Sequence, residues 1–196
     1  MKPRVRYLGR HLMVKGEYAD LILKGLKKAT IRMGIIKPRY NEVIIHSGGR
    51  PIAKVHIKNV RYKKVKDLND TDAQLDGFKN KTELIENLKR VYGEIQDDDI
   101  VTIIEYELIQ RLDNLPLEDP YLGLDPADIA RIALRYLSDQ LSDIEKKVLL
   151  DLTRTNSIRK TSINLFKTLS KRYIIRRILK KTIELLKNKG VLRGEK

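Results

Sequence analysis

The chain contains no cysteine and no tryptophan, and only two phenylalanines. Without cysteine it has no disulfide framework, no thiolate metal site and no thiol catalysis, a profile that suits the reducing cytoplasm. It also lacks any run of eighteen apolar residues, which excludes a membrane-spanning helix, and its N-terminal MKPRVRYLGR has no apolar core of the signal-peptide kind. Carboxylates are in deficit. Lysine and arginine number 41 against 26 Asp and Glu in 196 residues, a net charge of +15 with a pI near 9.9. Such a surplus points to a polyanionic partner; an anionic membrane surface is the competing reading, and no segment supports it. Abundant Lys, Arg and Ile with no Cys also suits a thermophile, such as an archaeon.

The charge is unevenly distributed. Residues 1–112 carry 23 cations against 15 carboxylates, residues 113–153 carry 4 against 9, and residues 154–196 carry 14 against 2. The pattern predicts a first domain over 1–112, a linker over 113–126 in the Pro- and Gly-rich stretch after Leu112, and a basic helical domain over 127–196.

The stretch His11–Gly34 organises the first domain. An apolar strand at 12–14 leads to a helix with Tyr18, Leu21 and Ile22 on its buried stripe, and Gly25 supplies the left-handed stop. The chain then turns into the β-branched segment Ala29-Thr30-Ile31. Lys27, Lys28, Thr30 and Arg32 crowd this corner, where cations and free backbone N–H groups can converge on a phosphate. The alternative is a set of solvated cations beside a helix end.

The spacing Gly25-x-Lys27-x-x-x-x-Arg32 resembles the signature of the ASCH family, and the resemblance runs from about Leu12 to about Ile109. It includes Asp72-Ala73-x-x-Asp76-Gly77-Phe78 and the strand Val101-Thr102-Ile103-Ile104-Glu105-Tyr106. The resemblance implies an α+β fold: a small PUA-like mixed β-barrel with flanking helices, here followed by an all-α domain. It also implies RNA binding and, by analogy with members that hydrolyse N4-acetylcytidine, a catalytic set of Lys27, Thr30 and Asp76. Asp76 stands where the family has a glutamate, one methylene longer.

Around that turn, Lys2, Arg4, Arg6 and Arg10 with Tyr7 suggest a basic arm or a barrel edge, and Lys37 to Asn41 reads as a loop because Pro38 holds its predecessor extended. In the next strand, Ala53, Val55 and Ile57 alternate with Lys54, His56 and Lys58, which predicts a basic row on the outside, extended by Arg61, Lys63, Lys64 and Lys66 around Tyr62. Asp67, Asp70, Asp72 and Asp76 read as caps and turn formers of a short helix ending at Gly77; their spacing does not match a calcium loop, and neither a metal nor a cofactor is expected. Asn80 to Tyr92 is an amphipathic helix with Leu84, Leu88 and Val91 inward.

In the C-terminal part, Asp125-Pro126, the capping box Ser142-x-x-Glu145 and the cap Thr155-Asn156-Ser157 open three helices, and a fourth runs from about Tyr173 to Lys189. This set weakly resembles a helix-turn-helix or winged-helix module, with Gly190 to Gly194 as the start of a wing or a tail. The candidate RNA contacts are Gly25, Lys27, Lys28, Arg32, Lys54, His56, Lys58, Arg61 and Lys63 in the barrel. The helical part adds Arg159, Lys160, Lys171, Arg172, Arg176, Arg177, Lys180 and Lys181. Structured RNA, ribosomal or transfer, is the expected partner, double-stranded DNA read by the third helix the alternative, and no membrane partner is expected.

Overall fold

The run Val101 to Tyr106 places apolar residues on both parities, Val101 and Ile103 against Ile104 and Tyr106, because the strand that carries it is buried on both faces. Ile104 and Tyr106 pack with Leu12, Ile22, Val43, Ile45 and Val55, whereas Val101 and Ile103 pack with Ala29, Ile31, Leu68, Leu84 and Leu88. A computed structural model describes residues 5–116 and 119–193, and the chain divides into two compact units between Arg111 and Leu112.

In the first unit, β1 (Val5–Leu8) pairs in parallel with β4 (Ile35–Pro38). The other five strands form a curled sheet, a half-barrel. They are β2 (His11–Met13), β3 (Ala29–Met33), β5 (Glu42–Ser47), β6 (Arg50–Lys64) and β7 (Ile100–Arg111), in the order β2-β5-β6-β7-β3. Only β2 against β5 is parallel in this sheet. Helix α1 (Ala19–Leu23) fills one side, while α2 (Asp70–Leu75) and α3 (Lys81–Tyr92) cover the other. Asn69 and Asp72 cap α2 reciprocally, and Asn80 accepts from the Glu83 N–H to cap α3.

Several expectations need correction. Lys37-Pro38 is strand, not loop: β4 is the edge of a two-stranded sheet, where a proline without an N–H is tolerated. The alternation expected along β6 fails at the register shift between Ile57 and Asn59, where Lys58 is the extra residue, and Lys54 is buried and His56 half-buried, so the three do not form one solvated row. Lys54 is 9% exposed and pairs with Glu42 at 3.2 Å. Val91, expected inward, is 44% exposed. Lys2 and Arg4 lie outside the described residues.

The second unit holds α4 (Pro126–Tyr136), α5 (Asp143–Thr155), α6 (Ile158–Phe166) and α7 (Arg172–Asn188). Its caps fall where expected: Ser142 and Glu145 form a reciprocal box, Asn156 takes the left-handed stop, and Ser157 receives the Lys160 N–H. Ser142→Ala should lower stability by about 1 kcal/mol in urea unfolding, since the Glu145 N–H loses its side-chain acceptor. The stretch expected as a linker is instead built into this unit. Leu115, Leu122 and Leu124 are buried there singly from irregular backbone, which is why no period announces them. Of the two readings after Gly190, a wing or a tail, the described residues show no strand; Val191 and Leu192 are buried, and the Leu115 N–H bonds Arg193 O at 3.3 Å. No described helix is long and apolar enough to cross a membrane.

Candidate functional site

Gly25 follows the last turn of α1 with φ +68°, a conformation that a side chain would strain. There the Leu26 and Lys27 N–H groups both bond Leu21 O, at 2.8 and 3.0 Å, and Lys28 N–H bonds Leu75 O at 2.8 Å. This corner sends Lys27 inward rather than into solvent. Only 4% exposed, Lys27 donates through Nζ to the Asp76 carboxylate and, at 2.6 Å, to the Asp76 backbone oxygen. Asp76 caps the C-terminus of α2, and Gly77 after it has φ +88°. A Cβ at Gly77 would stand 3.3 Å from Leu21 Cδ1 and 3.5 Å from Lys27 Cβ, so glycine is what lets this loop close over the lysine.

Burial dominates the electrostatics of the pair. It pushes the Asp76 carboxyl up to about 6, against the opposing pull of Lys27, the Ile31 N–H and Arg32. It also holds the Lys27 ammonium below its ordinary value, with Asp76 opposing. The pair therefore lies closer to its neutral form than a surface pair would.

Strand alternation brings the remaining polar groups to the same place. Ala29 and Ile31 face the α2–α3 core, and Thr30 and Arg32 stand on the opposite face of β3. Lys27, Thr30, Arg32 and Asp76 line a cleft of about 220 Å³ whose other walls include Tyr18, Phe78 and Tyr92. Tyr18 meets Phe78 edge-on at 5.9 Å, and Lys27 Nζ lies 4.7 Å from the Tyr18 ring centroid. The Tyr18 hydroxyl, pushed up to about 12 chiefly by burial, donates to Asn87 Oδ1 at 3.2 Å. Arg32 Nη2 donates to Met13 O at 2.6 Å, while its buried Nε has no partner. The Tyr106 hydroxyl is likewise buried without a partner, and burial followed by the Asp76 charge pushes its pKa up.

The structure thus gathers Lys27, Thr30, Arg32 and Asp76 in one cleft. Gly25 and Lys28 line a separate groove of about 400 Å³ with Lys58, Glu105 and Glu107. Most cations of β6 are paired: Lys58 with Glu107 at 3.1 Å, Arg61 with Glu105 at 2.6 Å and Asp72 at 3.1 Å, and Lys63 with Asp72 at 2.6 Å. Lys64 and Lys66 both reach Asp98 at 2.9 Å, and their hydrogen bonds draw its carboxyl down to about 2. His56 is half-buried in β6. In the second unit Lys181 pairs with Glu145 at 2.7 Å and Arg172 Nε bonds Leu169 O at 3.0 Å, whereas Arg176, Arg177 and Lys180 are exposed and have no ion pair among the described residues. Arg159, Lys160 and Lys171 are also exposed. No described cluster of His, Asp and Glu could hold a metal ion.

Residues 5–110 match the family model described as ASCH domain. The chain belongs to the ASCH family. Similar solved structures include the ASCH domain from Lactobacillus crispatus JV V101, with 17% identity over 53% of this chain and 79% of that one and a TM-score of 0.41. A tyrosine-to-phenylalanine variant of the ASCH protein from Zymomonas mobilis shares 18% over 53% and 73%, TM-score 0.40. A protein from Enterococcus faecalis V583 shares 16% over 49% and 69%, TM-score 0.40. No curated protein matches the chain. Sequence reasoning on the ASCH motif found the polar floor but missed the aromatic walls. Tyr18 read as core and Tyr92 as a helix end; Phe78 was visible within Asp76-Gly77-Phe78 without an assigned role.

Proposed function

We propose that this ASCH protein binds RNA and that its cleft receives one unpaired base. The observation that carries the reading is the convergence of a buried, donor-rich floor, Lys27 with Asp76 and the unpartnered Arg32 Nε, with the rings of Tyr18, Phe78 and Tyr92 in one cleft. A base presents a polar edge and an apolar face, and these two kinds of wall suit them. Phosphate attraction comes chiefly from the second unit, where helix α7 carries six Lys and Arg against Glu184. Structured RNA with exposed loops, such as ribosomal or transfer RNA, offers both unpaired bases and dense phosphate.

Binding of a fluorescent RNA hairpin, followed by anisotropy, tests this. Phe78→Ala is expected to weaken it about tenfold, the range of a lost base–aromatic contact. Wild-type affinity in both Phe78→Ala and Lys27→Met would sink the cleft reading, and tighter binding of duplex DNA of equal length would move the assignment to DNA.

A second reading is hydrolysis of an N4-acylated cytidine, favoured by Lys27, Thr30 and Asp76 lining one cleft and by a lysine that burial makes easier to deprotonate. In that chemistry neutral Lys27, oriented by Asp76, takes the Thr30 proton as Thr30 Oγ attacks the acyl carbon, and returns it to N4 as the C–N bond breaks; water then cleaves the acyl-threonine, releasing acetate and restoring the hydroxyl. Acetate released from N4-acetylcytidine by the wild type but not by Thr30→Val would establish it; no release by the wild type would leave binding alone.

A further inference from the structure

The cations of the half-barrel divide into two kinds. Most of those of β6 reach carboxylates, whereas near β1 and β4 Arg39 and Arg10 each lie over a tyrosine ring and Arg6 reaches a backbone oxygen. Residues 5–10 and 35–41 contain Arg6, Arg10, Lys37 and Arg39 and no Asp or Glu. The Arg39 guanidinium lies over the Tyr7 ring at 4.6 Å, and that of Arg10 over Tyr40 at 3.8 Å. Both rings are open to solvent, Tyr7 at 59% and Tyr40 at 41%. The parallel β1–β4 pair holds them in place, with Tyr7 opposite Lys37 and the Arg39 N–H bonded to Leu8 O at 3.0 Å.

An exposed ring with one face on a guanidinium leaves its other face bare, and the guanidinium plane is itself a surface on which bases stack. Two such cation–ring pairs, on segments that themselves contribute no carboxylate, fit a single-stranded polyanion whose units are flat. A protein surface offers few flat rings and a membrane offers none. Strand β1 also reaches toward the cleft through Arg6, on the opposite face from Tyr7: Arg6 Nη2 donates to Met33 O at the end of β3, and the Arg6 charge acts on Arg32.

We propose that the Tyr7–Arg39 and Arg10–Tyr40 pairs form a stacking platform for the unpaired RNA nucleotides that flank the base held in the cleft. This rests on the cleft reading for which base is flanked, but the platform's grip on single strands is testable by itself. The probes are an unstructured RNA octamer, a blunt RNA duplex of eight base pairs and a single mononucleotide, measured with full-length protein by anisotropy and calorimetry. The double variant Tyr7→Ala/Tyr40→Ala is expected to weaken octamer binding at least tenfold, since each lost stacked base accounts for several-fold or more. Duplex and mononucleotide affinities should stay within twofold. Arg39→Gln should weaken the octamer several-fold.

Octamer affinity unchanged in the double variant, or absent in the wild type, overturns the platform. An equal loss for duplex and octamer also overturns it, because the contact is then to phosphate alone. A selective octamer loss with no mononucleotide binding in the wild type supports the platform while removing the cleft reading. Both tyrosines are largely exposed, so the substitutions spare the core, and circular dichroism checks the fold.

Discussion

Asp76→Ala at pH 7 is expected to lower the unfolding free energy by about 3 to 5 kcal/mol, read from the urea midpoint at constant slope. The substitution leaves the Lys27 ammonium 4% exposed with its carboxylate gone, and the Asp76 backbone oxygen alone at 2.6 Å to receive it. A buried charge stripped of its partner retains its desolvation penalty in full. Removing both charges is a different experiment. The double variant Lys27→Met/Asp76→Leu should recover most of that loss or exceed wild-type stability, because two apolar side chains of similar size carry no desolvation penalty. If the double variant is stable and no longer binds RNA, the pair serves the ligand rather than the fold. A loss below about 1 kcal/mol in Asp76→Ala would mean that water reaches Lys27, and the buried-pair account would fail.

How much of this was legible in the sequence depends on the range of the interaction that sets each feature. The starts of the helices of the second unit were legible to within a residue because their caps are local: Ser142 with Glu145 and Ser157 with Lys160 are contacts within one turn. The motif corner was legible for the same reason, as Gly25 and Gly77 stand at helix ends, where a residue without Cβ takes φ of +68° and +88° without strain. The destination of Lys27 was not. It follows from Asp76, 49 residues away, arriving with the end of α2, and nothing in the spacing of a basic turn separates a lysine that folds inward from one that stays in water. The basic row of β6 misled for a related reason. The register shift at Lys58 and the carboxylates of Asp72, Glu105 and Glu107 on other elements decide where those cations point, and a period of two encodes neither. Conversely, Tyr7 and Tyr40 gain meaning only once β1 and β4 pair across about thirty residues.

The second large effect is a pH dependence of opposite sign to that of most carboxylates. Asp76 titrates at about 6 in the folded protein against 3.8 as the ordinary value, so between these pH values the folded state holds a proton that the unfolded state has released. Stability from this group is therefore greatest below about pH 4 and declines as pH rises to about 6, by about 3 kcal/mol at most. A protonated Asp76 still accepts from Lys27 through its carbonyl oxygen, which alanine lacks, so this does not conflict with the penalty for Asp76→Ala. Asp72 and Asp98 work the other way: their carboxyls are held low, and their contribution, present above about pH 4, is lost on acidification. The raw curve mixes both signs, and the wild type minus Asp76→Asn isolates the one of interest. That difference should favour the wild type increasingly as pH falls from 6 to 4 and level off outside the window. Base binding should carry the same signature, an apparent pKa near 6 that disappears in Asp76→Asn, because protonation turns an acceptor on the cleft floor into a donor. A stability difference flat from pH 4 to 6 would show that Asp76 is hydrated in the folded protein, and the low-dielectric floor on which both cleft chemistries depend would be gone.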